Sequence, residues 1–185
     1  MQKLSFRAAL VAAVALTVTA ATPALSKNPM VGGAAMYPNR TIVANAVNSK
    51  DHTTLVAAVK AAGLVETLSG PGPFTVFAPT NAAFGKLPAG TVETLVKPES
   101  KGTLTTVLTY HVVPGRMTAS QIGAKIRAGK GKATFKTVQG TDLTARMNGR
   151  TLVLTDAKGG TSRVTIGDVM QSNGVIHVVD TVLMP

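Results

Sequence analysis

The chain has no cysteine and no tryptophan among its 185 residues. Without cysteine there is no disulfide, no thiolate metal site and no thiol nucleophile. A lipid anchor on a cysteine behind a leader is excluded for the same reason. Aromatic residues make up 4% of the chain, too few to interleave with basic residues as a base-stacking surface requires. Nucleic acid is therefore not an expected partner. Acids are also scarce, with 8 Asp and Glu against 19 Lys and Arg, a formal net charge of +11. No acid lies between Glu99 and Asp142, while Lys101, Arg116, Lys125, Arg127, Lys130, Lys132 and Lys136 all fall there. A basic run of this kind predicts attraction to polyanions and acidic membrane surfaces. Lys125, Arg127, Lys130, Lys132 and Lys136 are the candidate patch. A solvated basic face that keeps the protein soluble accounts for the run equally well.

Long apolar runs are absent beyond the first residues. Lys3 and Arg7 precede an uncharged run from Ala8 to Ala21, and Ala24-Leu25-Ser26 follows with small residues at the outer two positions. This is the three-part pattern of a secretory signal. The run is shorter than the roughly 20 residues a membrane-spanning helix needs. Residues 1–26 are expected to be a cleaved signal peptide and the protein to be exported, with no transmembrane segment remaining. Pro29, Gly32 and Gly33 mark residues 27–37 as a flexible lead-in. Residues 38–185 are expected to form one domain, large enough to bury a core without staples.

Helical spacing appears from Thr41 to Val47 and again in Leu55, Val56, Val59 and Ala62, with Asp51 as cap and Gly63 as terminator. Leu64, Val65 and Leu68 continue as a helical turn. Phe74 to Ala78 is aromatic, β-branched and short, hence a strand. Thr80 caps a further helix through Leu87, and Thr91 to Val96 and Leu104 to Leu108 are two more. Tyr110 to Val113 is expected to be extended. Thr118 to Gln121 is a capping box, and Ile122 and Ile126 give that helix an apolar face. Strands are expected at Ala133 to Val138, Asp142 to Met147 and Thr151 to Thr155, with a short one at Val164 to Ile166. Asn148-Gly149 reads as the hairpin turn between the second and third of these. Val175 to Val179 is apolar on both faces, as a central strand would be. Helices first and strands second make an α+β class.

Three segments carry a resemblance. Phe74-Thr75-Val76-Phe77-Ala78-Pro79-Thr80-Asn81-Ala82-Ala83-Phe84, Tyr110-His111-Val112-Val113-Pro114-Gly115, and Asn173 through Pro185 resemble, in order and spacing, the three motifs of the fasciclin domain. The resemblance covers about Pro38 to Pro185. It implies a wedge of β-strands dressed with helices. It also implies adhesion, or contact with a cell-surface or matrix protein or glycan, by a secreted or periplasmic module. In animal members, an acidic-aliphatic segment before the last motif and the tyrosine–histidine segment are regions of integrin contact. The matching residues here are Asp168, Val169 and Met170, and Tyr110 and His111. Gly167 stands where the family pattern has proline, and Val169 where it has isoleucine.

The residues themselves offer blander roles. Tyr110, His111 and His177 sit among apolar neighbours, where a buried ring with a satisfied polar atom is the ordinary outcome. Asp168 is suited to a local cap, and Asp180 to accepting backbone N–H groups. No catalytic set is visible. His52, His111 and His177 lack metal-ligand spacing, no Gly-x-Ser-x-Gly elbow occurs, and Gly129-Lys130-Gly131-Lys132 lacks the hydroxyl residue of a phosphate loop. The expectation is a binding module without cofactor or metal: an adhesive surface module, a polyanion binder, or an envelope structural or stress protein.

Overall fold

The computed structural model describes residues 28–185, so the expected signal peptide lies outside the described residues. Helices dominate the first half: α1 (Ile42–Ala46), α2 (Thr53–Ala62), α3 (Val65–Ser69), α4 (Asn81–Gly85), α5 (Thr91–Leu95), α6 (Lys101–Tyr110) and α7 (Ala119–Ala128). Strands β3 (Phe74–Pro79) and β4 (Val112–Pro114) are interspersed, and β5 (Lys132–Lys136), β6 (Asp142–Asn148), β7 (Thr151–Thr155), β8 (Thr161–Gln171) and β9 (Gly174–Val179) follow. The α+β class holds.

The sheet runs β4-β3-β9-β8-β7-β6-β5. Strands β3 and β9 are parallel, Phe74 opposite Gly174, and the other neighbours are antiparallel. Just past β5, the Val138 N–H donates to the Val112 carbonyl at 2.8 Å, so the two edges of the sheet nearly meet. The sheet thus curls around an interior of its own. Phe77, Val113, Phe135, Leu143, Ala145, Leu152, Leu154 and Val179 fill it, with Ile122 and Ile126 of α7 as the plug. Alternate residues of the central strands face the other way. Val76, Ala78, Ile176 and Val178 pack against α1, α2, α4 and α6 in a second core. Strand β9 is apolar on both faces because it divides two cores, as its sequence implied.

Several local signals act as read. Gly63 ends α2 in the left-handed conformation at φ +73°, and Thr80 and Thr118 cap α4 and α7, the latter with a complete capping box. Others need correction. Asp51 does not cap α2; Asn81 does, its Oδ1 accepting from the Thr54 N–H at 3.0 Å while its Nδ2 donates to the Lys50 carbonyl at 2.8 Å. The cap comes from another element, which local spacing cannot reveal. Tyr110 is not extended but ends α6, with His111 as its C-cap. The short strand at Val164 is the middle of the eleven-residue β8, whose alternation is blurred by register shifts between Val164 and Val169. The hairpin turn lies one residue later than expected. Asn148 pairs with Thr151, and Gly149 takes φ +60° at the first turn position.

The expected lead-in is also folded. Met30–Val31 (β1) and Ala34–Ala35 (β2) form a small hairpin around Gly32 and Gly33, and Val31 and Met36 are buried in the helical core. Apolar surface on α1 and α2 gives this glycine-rich segment something to pack against, a tertiary gain that periodicity does not record.

Candidate functional site

The tyrosine–histidine pair faces inward. Tyr110 is 0% exposed and His111 is 2% exposed. The Tyr110 hydroxyl donates to the Asp142 carbonyl at 3.0 Å and accepts from the Ala157 N–H at 3.1 Å, tying α6 to β6 and to the loop after β7. Burial raises its pKa, with the Ala157 N–H opposing. His111 places one ring nitrogen, Nδ1, 2.8 Å from the Val107 carbonyl, and Nε2 accepts from the Leu183 N–H at 3.0 Å. Since Nε2 accepts, Nδ1 carries the proton and the ring is neutral. Burial drives its pKa down to about 4, against the pull of the Val107 carbonyl and Asp156.

His177 is built the same way. It is wholly buried on β9 and stacked on Phe77 with ring centroids 5.6 Å apart. Nε2 donates to the Met117 carbonyl at 2.9 Å, and Nδ1 accepts from the Asp168 N–H at 3.3 Å. Burial lowers its pKa, opposed by the Met117 carbonyl and Asp168.

The acidic-aliphatic segment lies on the irregular part of β8. Asp168 takes a positive φ of 57°, and its Oδ1 accepts from the Ala119 N–H at 2.7 Å. It therefore holds the first turn of α7, where a negative charge is favoured. Val169 is buried, and Met170 is half-buried. Of the five residues carried over from the family pattern, Tyr110, His111 and Val169 offer no surface in the folded protein. Asp168 is exposed, but its carboxylate is engaged.

Asp180 accepts from the Arg163 N–H at 2.9 Å and from the Thr181 hydroxyl at 3.0 Å, and Lys86 lies 3.7 Å away. Burial pushes its carboxyl up, but the Arg163 N–H, the Thr181 hydroxyl and the Lys86 and Arg163 charges together hold it below the usual range. Asn173 has the densest role. Its Oδ1 accepts from the Ile42 N–H at 3.0 Å, while Nδ2 donates to the Leu68 and Gly70 carbonyls at 2.8 and 2.9 Å. One side chain joins α1, α3 and the start of β9.

The candidate basic patch is exposed but divided. Lys125 and Arg127 stand on the last turn of α7, Lys130 in the following turn, and Lys132 and Lys136 on β5. The register adds partners that the sequence reading missed. Lys132 lies opposite Arg146, Arg146 opposite Val153, and Val153 opposite Arg163. This row crosses four strands on the outward face. Beside it runs a second row, Thr134, Thr144, Thr155 and Thr161, in consecutive register. At strand spacings of about 4.8 Å, each row spans about 14 Å. Arg146 and Arg163 occupy outward positions of alternating strands, which is the signal that would have found them. Among the described residues, no three His, Asp or Glu side chains are grouped so as to hold a metal ion, and no helix is long and apolar enough to cross a membrane.

These features define a two-core α+β module whose buried titratable groups hold its own chain together. The fasciclin domain model matches residues 50–185. Protein sll1483 of Synechocystis sp. is 48% identical over 161 residues, covering 86% of this chain and 81% of that protein. The cell surface glycolipoprotein MPB83 of Mycobacterium bovis is 35% identical over 161 residues, covering 87% of this chain and 62% of that one. The structure of a FAS1 domain pair from the insect cell adhesion molecule Fasciclin I superposes with a TM-score of 0.69 at 19% identity, covering 80% of this chain and 52% of that one. This chain thus spans about half of that domain pair. The chain belongs to the fasciclin domain family.

Proposed function

We propose that this protein is an exported, non-catalytic module of cell-surface adhesion, and that it makes contact through the outward face of β5 to β8 with an acidic polysaccharide. The cross-strand row of Lys132, Arg146 and Arg163 carries this reading. Three exposed cations project from one face, and the threonine row beside them offers hydroxyls as donors and acceptors. A chain of regularly spaced carboxylates and hydroxyls matches that pairing of charge with hydrogen-bonding groups. The cell-surface description of the mycobacterial relative supports placement outside the cytoplasm, as does the leader pattern of residues 1–26. The burial of Tyr110, His111 and Val169 turns attention from those segments to this face.

The test is binding to an immobilised polyuronate and, separately, to anionic vesicles across a salt series. Affinity for the polyuronate should fall steeply as salt shortens the Debye length from about 10 Å at 0.1 M towards 3 Å at 1 M. Replacing Lys132, Arg146 and Arg163 together with glutamine should weaken it at least tenfold. Changing Lys125 and Arg127 on α7 should have the smaller effect. Equal binding by the triple variant defeats the assignment of the face. Binding to vesicles but not to polyuronate defeats the polysaccharide.

A further inference from the structure

The dipeptide Asn-Gly occurs twice in the chain, and the fold treats the two copies in opposite ways. Asparagine before glycine is a self-reactive pair. The following amide nitrogen can attack the side-chain carbonyl carbon, and glycine has no side chain to obstruct that approach. At Asn173 the attack is blocked. Its Oδ1 and Nδ2 are held by the Ile42 N–H and the Leu68 and Gly70 carbonyls, so Cγ cannot turn towards the chain. Its carbonyl accepts from the Phe74 N–H at 3.0 Å. Gly174 is buried and paired with Gln171, and a Cβ on it would fall 2.1 Å from the Phe74 carbonyl oxygen. Neither reacting group has room to move.

At Asn148 both groups are open. Asn148 ends β6 opposite Thr151, and Gly149 and Arg150 form the two-residue turn into β7. All four residues are exposed. The N–H of the first residue in such a turn belongs to no ladder bond, so the Gly149 nitrogen is uncommitted. Gly149 takes φ +60°, and a Cβ on it would meet nothing within 4 Å. The Asn148–Thr151 pair is the last of its ladder, where opening costs little. Charge favours the reaction too. Asn148 lies two positions beyond Arg146 on the outward face, about 7 Å along the strand, and Arg150 follows Gly149. These two cations favour both the deprotonated nitrogen that attacks and the carboxylate that results.

We infer that Asn148 is a site of self-modification, at which the exposed amide is exchanged for an acid on the basic face. The Gly149 nitrogen gives up its proton and forms a bond to Asn148 Cγ. The Cγ–Nδ2 bond breaks, and Nδ2 leaves as ammonia, carrying that proton. One water then opens the five-membered imide. Cleavage of the new bond to Cγ gives aspartate, and cleavage of the bond to the main-chain carbonyl carbon gives isoaspartate. Either product carries a negative charge where a neutral amide stood, and isoaspartate also adds one atom to the backbone of the turn. The new carboxylate stands beside Arg146 and competes for it with any polyanion. Contact with an acidic polysaccharide therefore weakens as the protein ages, a consequence that rests on the function proposed for this face; the modification itself does not.

The experiment ages the purified protein in mildly alkaline buffer, folded and in urea, and follows both sites by peptide mass spectrometry. In the folded protein, the amide-to-acid mass change should appear at Asn148 at least tenfold faster than at Asn173. In urea the two rates should come within threefold. Asn148→Gln disfavours the five-membered ring and should abolish the change at that position alone. After equal ageing, the folded wild type should elute earlier from a cation exchanger than this variant. An amide that persists at Asn148 in the folded protein but is lost in urea overturns the inference. So do equal rates at the two sites in the folded protein. Binding separates the modification from its consequence. Asn148→Asp should lower polyuronate affinity about two- to fivefold, as one exposed charge pair allows, while Asn148→Gln should not. Equal binding by Asn148→Asp and the fresh wild type overturns the consequence. A fresh wild type that binds no polyuronate defeats the function proposed for the face and leaves the modification standing.

Discussion

On one side of β3 and β9 lies the sheet interior, where Leu143, Ala145, Leu154, Val179 and Leu183 expose nothing. On the other lies the helical core, where α1, α2 and α3 leave a cavity beside His52. The difference follows from the elements. Ladder hydrogen bonds fix strand spacing at about 4.8 Å, so side chains of matched size fill the curled sheet. Helices α1 and α3 have five residues each, too few to present the continuous ridges that let helices interlock. The sheet half is closed within and charged without; the helical half is where space remains.

The strongest way to break this arrangement is Asn173→Ala. It leaves the Ile42 N–H and the Leu68 and Gly70 carbonyls without their partner. A loss of about 3–5 kcal/mol is expected by denaturant unfolding, from several groups left unmatched at about 1–3 kcal/mol each. Amide exchange should rise first in α1 to α3, while β5 to β9 stay protected.

Acid should act at the seam. His111 takes a proton near pH 6.5 when unfolded but resists it down to about 4 when folded. Its contribution is complete above pH 6.5 and is lost as pH falls towards 4, about 3 kcal/mol in all. His52 and His177 act in the same direction, because burial lowers both. Melting temperature measured from pH 7.5 to 4 should fall along this window. A flat profile would mean that these rings titrate freely.

Added side-chain carbon, two atoms in Ala145→Val and one in Val59→Ile, sharpens the contrast between the cores. Ala145→Val overfills the sheet interior and should cost about 1–3 kcal/mol. Val59→Ile points into the cavity and should be neutral or stabilising by up to about 1 kcal/mol, since the void receives it. Equal losses in thermal unfolding would show that the two cores are filled alike. The smallest effect on stability belongs to the outward face. Replacing Lys132, Arg146 and Arg163 with glutamine should change unfolding free energy by less than about 0.5 kcal/mol, while polyuronate binding falls tenfold.

The features legible in the sequence were those set by near neighbours. The capping box at Thr118, the left-handed Gly63 and the doubly apolar β9 need a few adjacent residues to be recognised. What escaped was set at a distance. Asn81 caps a helix nearly thirty positions back. Val31 and Met36 fold a glycine-rich segment because a surface elsewhere awaits them. Tyr110 continues α6 although its apolar neighbours favour a strand equally well. The outward row of Lys132, Arg146 and Arg163 exists only once the register is known, and the gap beside His52 only once three helices are packed.

The parallel pairing of β3 with β9 has a consequence in time. Phe74 must wait for Gly174, and β9 is the common wall of both cores. Until residues 174–179 are available, β3 has β4 as a neighbour on one side but lacks its parallel partner, and both cores lack their common wall. Closing so long a loop before any strand contact repays it makes for a slow search. Folding is therefore expected to finish only once the chain is almost fully made, an order that suits a protein passed through a membrane before it folds.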